Sequence, residues 1–238
     1  MANAEQKQQG DGGRFVGTTW QDLLDLETVD VPEYLRIQNN PDMGDDDLSV
    51  DRYISQEFFN KEKEQMWPRV WQMACREEEI PEPGDHHVYW IIDRSVIVTR
   101  TPSGEIKGYI NSCRHRGRCL RDESGSVDKF RCPFHGATWD LEGQFQGIPN
   151  QWDFEHIEGR DMSLPQVKVA TWGGFVFINF DQDASPLEDY MEVLPDHFKR
   201  FPLEEYFTGV HVQRVMNCNW KVCLLYTSDA ADDSLRVD

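Results

Sequence analysis

The chain has 238 residues, with 43 Asp and Glu against 24 Lys and Arg, for a formal charge of −19. Charge of that sign argues against nucleic acid and anionic membrane surfaces as partners. With 39% hydrophobic and 28% charged residues, the composition is that of a soluble globular protein long enough to bury one or two cores. No apolar run approaches the ~20 residues of a membrane span. The polar start, Met1 to Gly10, lacks the apolar core of a signal peptide. A cytoplasmic setting with reduced thiols is therefore expected for the six cysteines.

Residues 1–50 read as an amino-terminal arm. Residues 1–13 are polar and Gly-rich, a composition that favours disorder. Residues 18–38 are helically patterned through Trp20, Leu23, Leu24, Leu26, Tyr34, Leu35 and Ile37. Residues 41–47 form an acidic linker. Ser55 is placed to cap a helix that has Glu57 in its first turn. Phe59, Met66 and Val70 share one face of it, and Pro68 should break it. Strands are then expected at 88–92 and 96–99, a hairpin turning at Asp93-Arg94, and at 106–110, 130–131, 137–140, 167–170 and 175–180. Many short strands separated by Gly/Pro turns indicate an antiparallel β sandwich or small barrel. Residues 183–207 look partly helical and amphipathic, and 210–217 read as one more strand.

Two loops between these strands carry the chemistry: Cys113-Arg-His115-Arg-Gly117 and Cys132-Pro-Phe-His135-Gly136-Ala-Thr-Trp139-Asp140. Sixteen residues separate His115 from Cys132. Two thiols and two imidazoles suit a late first-row metal. A Rieske centre needs this set, with two Cys on one iron and two His on the other. Cys2His2 is also a zinc ligand set, although the zinc-finger order places both Cys before both His, whereas each pair here is mixed. Pro133 and Gly136 suit the tight turns of a loop wrapped around a cluster. The remaining histidines carry weaker signals. His86 and His87 suit surface or packing roles, His197 and His211 structural ones, and His156 falls in an exposed loop over the domain. Cys119 reads as a small buried side chain. Gly173-Gly174 is a turn between strands, and no Gly-rich loop offers a nucleotide site.

With their flanks, the motifs Cys113-Arg-His115-Arg-Gly and Cys132-Pro-Phe-His135-Gly-x-Thr-Trp-Asp-Leu-x-Gly resemble the α subunits of the Rieske oxygenases, ring-hydroxylating non-haem-iron enzymes. The resemblance runs from Tyr53 to Lys221, ending on Asn219-Trp220-Lys221. It implies a mainly β fold, with a Rieske-type antiparallel β sandwich at 51–182 after the helical arm. The start of a truncated α+β, helix-over-sheet catalytic domain follows at 183–222. It also implies that Cys113 and Cys132 bind one iron of a [2Fe-2S] cluster and that His115 and His135 bind the outer one. In such enzymes an NADH-dependent reductase, sometimes with a ferredoxin, supplies electrons. The cluster relays them to a mononuclear Fe(II), usually in a neighbouring subunit of a trimer-based homo-oligomer. There O2 is activated to oxidise an organic, typically aromatic, substrate. Respiratory-complex Rieske proteins carry an extra Cys in each loop, and Phe134 stands where the second would be. A stand-alone Rieske electron carrier is the alternative function. No His follows His211, so the catalytic iron's ligands are absent and no catalytic residue is assigned. Residues 223–238 resemble translated sequencing-adapter read-through and are expected to be a non-native tail, leaving a fragment that is not catalytically competent alone.

Overall fold

A computed structural model describes residues 20–36 and 49–223, and the chain divides into two compact units, residues 1–50 and 51–238. The first unit holds two short helices, α1 (Trp20–Leu24) and α2 (Glu33–Arg36). The helical patterning of 18–38 is thus interrupted, and α2 begins directly after Pro32, whose missing N–H suits a helix start. Arg36 pairs with Asp25 at 2.7 Å. The disorder expected at 1–13, the linker at 41–47 and the tail beyond Cys223 lie outside the described residues.

The second unit opens with α3 (Asp51–Ile54) and α4 (Gln56–Lys61). Ser55 caps α4, its hydroxyl accepting from Phe58 N–H at 3.3 Å. The helix then widens into a π turn, Glu62–Met66, and tightens into a 3-10 turn, Trp67–Arg69, at Pro68. The chain continues through β1 (Gln72–Arg76), β2 (Asp85–Ile91), β3 (Arg94–Arg100), β4 (Ile106–Ile110) and β5 (Gly125–Ser126). Next come β6 (Phe130–Arg131), β7 (Thr138–Trp139), β8 (Phe145–Gly147), β9 (Gln166–Trp172) and β10 (Phe175–Asn179).

Seven strands form one sheet in the order β1-β10-β9-β4-β3-β2-β5, and β6-β7-β8 form a second. Every strand pairing is antiparallel. The larger sheet curls until β1 also lies against β2, giving a half-barrel. The β2–β3 hairpin turns at Ile92-Asp93, with Ile91 opposite Arg94, one residue earlier than the expected Asp93-Arg94. Ile92 takes φ +55°, the first-position geometry of a hairpin turn that matches strand twist. Nothing in a β-branched side chain advertises that conformation.

β3 is buried on both faces and so separates two cores. Val96 and Val98 point into one with Val176 and Ile178, while Ile97 points into the other with Tyr109, Phe130 and Trp139. The alternation follows from the two-residue period of a strand. The second of these cores lies beneath the two Cys/His loops and includes Cys113 and Cys132. Its polar atoms are satisfied internally: Trp139 Nε1 donates to Met162 O at 2.6 Å and the Tyr109 hydroxyl to Leu141 O at 3.1 Å.

Past β10, the helical stretch expected over 183–207 resolves into α5 (Leu187–Met191), α6 (Leu194–Phe198) and a 3-10 turn, Leu203–Glu205. Leu187 and Met191 pack on Trp71. The strand expected at 210–217 does not form. Those residues carry no strand pairing, and Val210 and Val215 are 82% and 97% exposed. Alternating valines favour a strand only where a neighbouring strand accepts the ladder. The chain then returns to α3 and the π turn. Asn219 Nδ2 donates to Tyr53 O at 3.0 Å, and Lys221 pairs with the buried Glu62 at 2.5 Å. Among the described residues no helix is long and apolar enough to cross a membrane.

Candidate metal centre

The two loops bearing the Cys/His pairs are closed in the same way. In the first, Cys113 N–H donates to Arg118 O and Gly117 N–H to Cys113 O, both at 2.8 Å. In the second, Cys132 N–H donates to Ala137 O at 2.8 Å and Gly136 N–H to Cys132 O at 3.0 Å. Gly117 and Gly136 take φ +72° and +76°, left-handed conformations that glycine adopts without strain. The spacings Cys-x-His and Cys-x-x-His differ in sequence, yet each loop closes four and five residues after its cysteine. β4 delivers the first loop and β6 the second, and β7 carries the second loop away.

Asn111 fastens the base of the first loop. Its Oδ1 accepts from Leu120 N–H and Arg121 N–H, both at 3.0 Å, and its Nδ2 donates to Arg121 O at 2.6 Å. Behind it, Arg121 Nε donates to His86 Nε2 at 3.1 Å. His86 is 1% exposed, so of the two roles open to it the packing one applies. Burial, reinforced by Arg121, holds its pKa below the ordinary histidine value. His87 pairs with Glu79 at 3.2 Å, while His197 and His211 are exposed.

The loops bring all four motif side chains together. Cys113 and Cys132 are buried, 4% and 2% exposed, in one core cluster. Burial pushes the Cys113 thiol up, and the backbone N–H groups of His115 and Arg116 pull the other way. Above them, the rings of His115 and His135 lie 4.9 Å apart between centroids, both half-buried. His135 Nδ1 is buried and finds no hydrogen-bond partner among the described residues. A buried ring nitrogen without a partner carries a cost that a metal would remove. Zinc needs four ligands on one centre, whereas two irons take a thiol pair and an imidazole pair separately. The residues present thus fit a two-iron cluster.

Sequence reasoning gave His156 no rank, yet it lies at this site, its ring 5.3 Å from that of His115. The Phe154 ring lies T-shaped to His115 and His135, its centroid 5.2 Å from that of the first and 5.8 Å from that of the second. The Trp152-Asp-Phe-Glu-His stretch was visible, but nothing in its spacing shows that two 3-10 turns, Gln151–Asp153 and Glu155–Ile157, fold it back onto the imidazoles. Cys119 is half-buried rather than fully buried, its thiol donating to Arg121 O at 3.2 Å.

Comparison with known proteins agrees with this geometry. A family model for the Rieske [2Fe-2S] domain matches residues 70–168. The α subunit of chlorobenzene dioxygenase from Cupriavidus sp. (strain PS12) is 30% identical over 177 residues, which span 71% of this chain and 39% of that subunit. The α subunit of biphenyl 2,3-dioxygenase from Rhodococcus jostii (strain RHA1) is 31% identical over 176 residues, 71% and 38% of the two chains. Among solved structures, naphthalene 1,2-dioxygenase from Rhodococcus sp. bound to indole superposes with a TM-score of 0.56 at 35% identity, over 60% of this chain and 33% of that one. A quaternary ammonium Rieske monooxygenase reaches 0.67 at 26% identity, over 73% and 49%. This chain therefore carries a Rieske [2Fe-2S] domain. Over that part it is similar to the oxygenase α subunits, and it spans only about two fifths of the length of those curated relatives.

Proposed function

We propose that Cys113 and Cys132 bind one iron of the [2Fe-2S] cluster as thiolates and that His115 and His135 bind the other, His135 through Nδ1. The partnerless, buried His135 Nδ1 beside His115 is the observation that carries this assignment. When bound, the cluster supplies one-electron storage. The chain's own residues do the rest. The apolar core beneath excludes water from the thiolate side, and the His115 and Arg116 N–H groups offer hydrogen bonds to Cys113 sulfur, a contact that tunes potential. The half-buried imidazoles give electrons a route to the surface.

In the wider reading, residues 51–182 are the electron-relay domain of an oxygenase α subunit and 1–50 its arm. Residues 183–222 begin the catalytic domain that follows the relay domain. Electrons arrive from an NADH-dependent reductase or ferredoxin. They leave for a mononuclear iron, held by residues outside this chain, where O2 is activated against an aromatic substrate. The parent works as a trimer-based homo-oligomer in the cytoplasm. The dioxygenase names of the relatives support this reading, as does the packing of Asn219 and Lys221 onto α3 and the π turn. A stand-alone carrier would need neither that packing nor α5 and α6.

The test is His135→Cys. Rieske potentials span about −150 to +300 mV, against about −400 mV for plant-type clusters. The variant should stay loaded and titrate well below the wild type. A loaded variant with unchanged potential means that His135 is not a ligand.

A further inference from the structure

We infer that Phe154 and His156 are positioning residues for the histidine side of the cluster. Phe154 braces both imidazoles and His156 stacks on His115, so together they fix the ring orientations that the outer iron requires. The inference rests on the cluster assignment above and goes beyond it, because neither residue belongs to the Cys/His motifs.

Three observations carry it. The first is ring geometry. His156 lies tilted at 34° to His115 with centroids 5.3 Å apart, within ring-contact range. Phe154 stands at 90° to His115 and 61° to His135, edge-on to both. The second is that the segment presenting these rings is built rather than loose. Phe154 N–H donates to Gln151 O and Ile157 N–H to Phe154 O, both at 2.9 Å. Ile157 is buried in the core that contains both cysteines, and Phe154 packs on the same core. The backbone on either side of His156 is thus held, which places its side chain next to His115. The third is need. Both imidazoles assigned as ligands meet these rings, His115 through Phe154 and His156, and His135 through Phe154. Ligand histidines depend on neighbours for orientation, the loss of a hydrogen-bonding one typically costing about 10- to 100-fold in metal affinity, and ring contacts act in the same direction.

The experiment compares the cluster-loaded wild-type chain with His156→Ala, His156→Phe, Phe154→Ala and a control, Trp152→Ala. Trp152 lies in the same segment but is 74% exposed. Three quantities are read: the imidazole 14N couplings of the reduced cluster by pulsed EPR, the reduction potential, and the rate of iron loss to a chelator. His156→Ala should alter the 14N couplings and speed iron loss about tenfold, and His156→Phe, which keeps a stacking ring without a nitrogen, should restore both. Phe154→Ala should alter the couplings of both imidazoles, and Trp152→Ala neither. Because His156 is exposed, its variants decide the matter even if Phe154→Ala fails to fold. A loaded wild type with His156→Ala indistinguishable from it overturns this inference and leaves the cluster assignment standing. Failure of His156→Phe to restore what His156→Ala changed overturns it too. A wild type that binds no iron and sulfide overturns both.

Discussion

Asn111→Ala should detach the base of the first cluster loop. Three hydrogen bonds disappear: from Leu120 N–H, from Arg121 N–H and to Arg121 O. A typical protein hydrogen bond contributes about 1 kcal/mol net, while a buried group left without a partner costs about 1–3 kcal/mol. Asn111 is 4% exposed and Leu120 equally so, so Leu120 N–H bears the full penalty. The two Arg121 contacts are only partly buried and water can replace some of their value. The sum is about 2–4 kcal/mol. With a urea slope of about 2 kcal/mol/M, the midpoint should fall by about 1–2 M. The assay is urea unfolding of the cluster-free chain by tryptophan fluorescence, followed by iron content after reconstitution. Asn111→Asp separates the two roles: it keeps the acceptor for both N–H groups but sets a buried carboxylate oxygen against Arg121 O in place of the Nδ2 donor, so a loss should remain. A midpoint for Asn111→Ala within about 0.3 M of wild type, with full iron, would refute the idea that this side chain holds the loop.

Two further outcomes follow from the same coordinates. Lys221 reaches Glu62 at 2.5 Å and sits over the rings of Tyr53, Phe58 and Trp220 at 5.8, 5.2 and 5.2 Å. Lys221→Met strands a carboxylate that is 6% exposed and should cost about 3 kcal/mol. Adding Glu62→Gln should recover part of that, and strictly additive losses in the double-mutant cycle would show that the pair is not coupled. His86 gives a pH dependence. It is held neutral by burial, with a folded pKa below the ordinary value of 6.5, so its stabilisation is complete above that value and is lost as pH falls through the lower folded one. Protonation also removes the acceptor that Arg121 uses, so iron should leave faster as pH falls through that lowered folded pKa. His86→Gln, which can still accept that bond but does not titrate, should flatten the profile, and an identical acid limb in both proteins would assign it elsewhere.

The parts of the molecule legible from sequence are those that local chemistry dictates. Cys113, His115, Cys132 and His135 stood out because few functions use thiols and imidazoles at such spacing. Ser55 capped its helix because a hydroxyl before Glu57 has an evident use. Most strands declared themselves between Gly/Pro turns. The misses share a different cause. The Ile92 turn depends on a backbone angle that a β-branched residue does not favour. The valines of 210–217 have strand propensity but no neighbour to pair with. His156 meets His115 across 41 positions, and Lys221 meets Glu62 across 159, contacts that only the closed fold creates. Local patterns do not encode such distances.

The most direct test of the central claim is the metal and sulfide content of the purified chain, read with the EPR of its reduced form. Two irons and two acid-labile sulfides per chain, with 14N couplings from two imidazoles that vanish one at a time in His115→Cys and His135→Cys, are the result this account requires. A colourless protein holding zinc and no sulfide would contradict it.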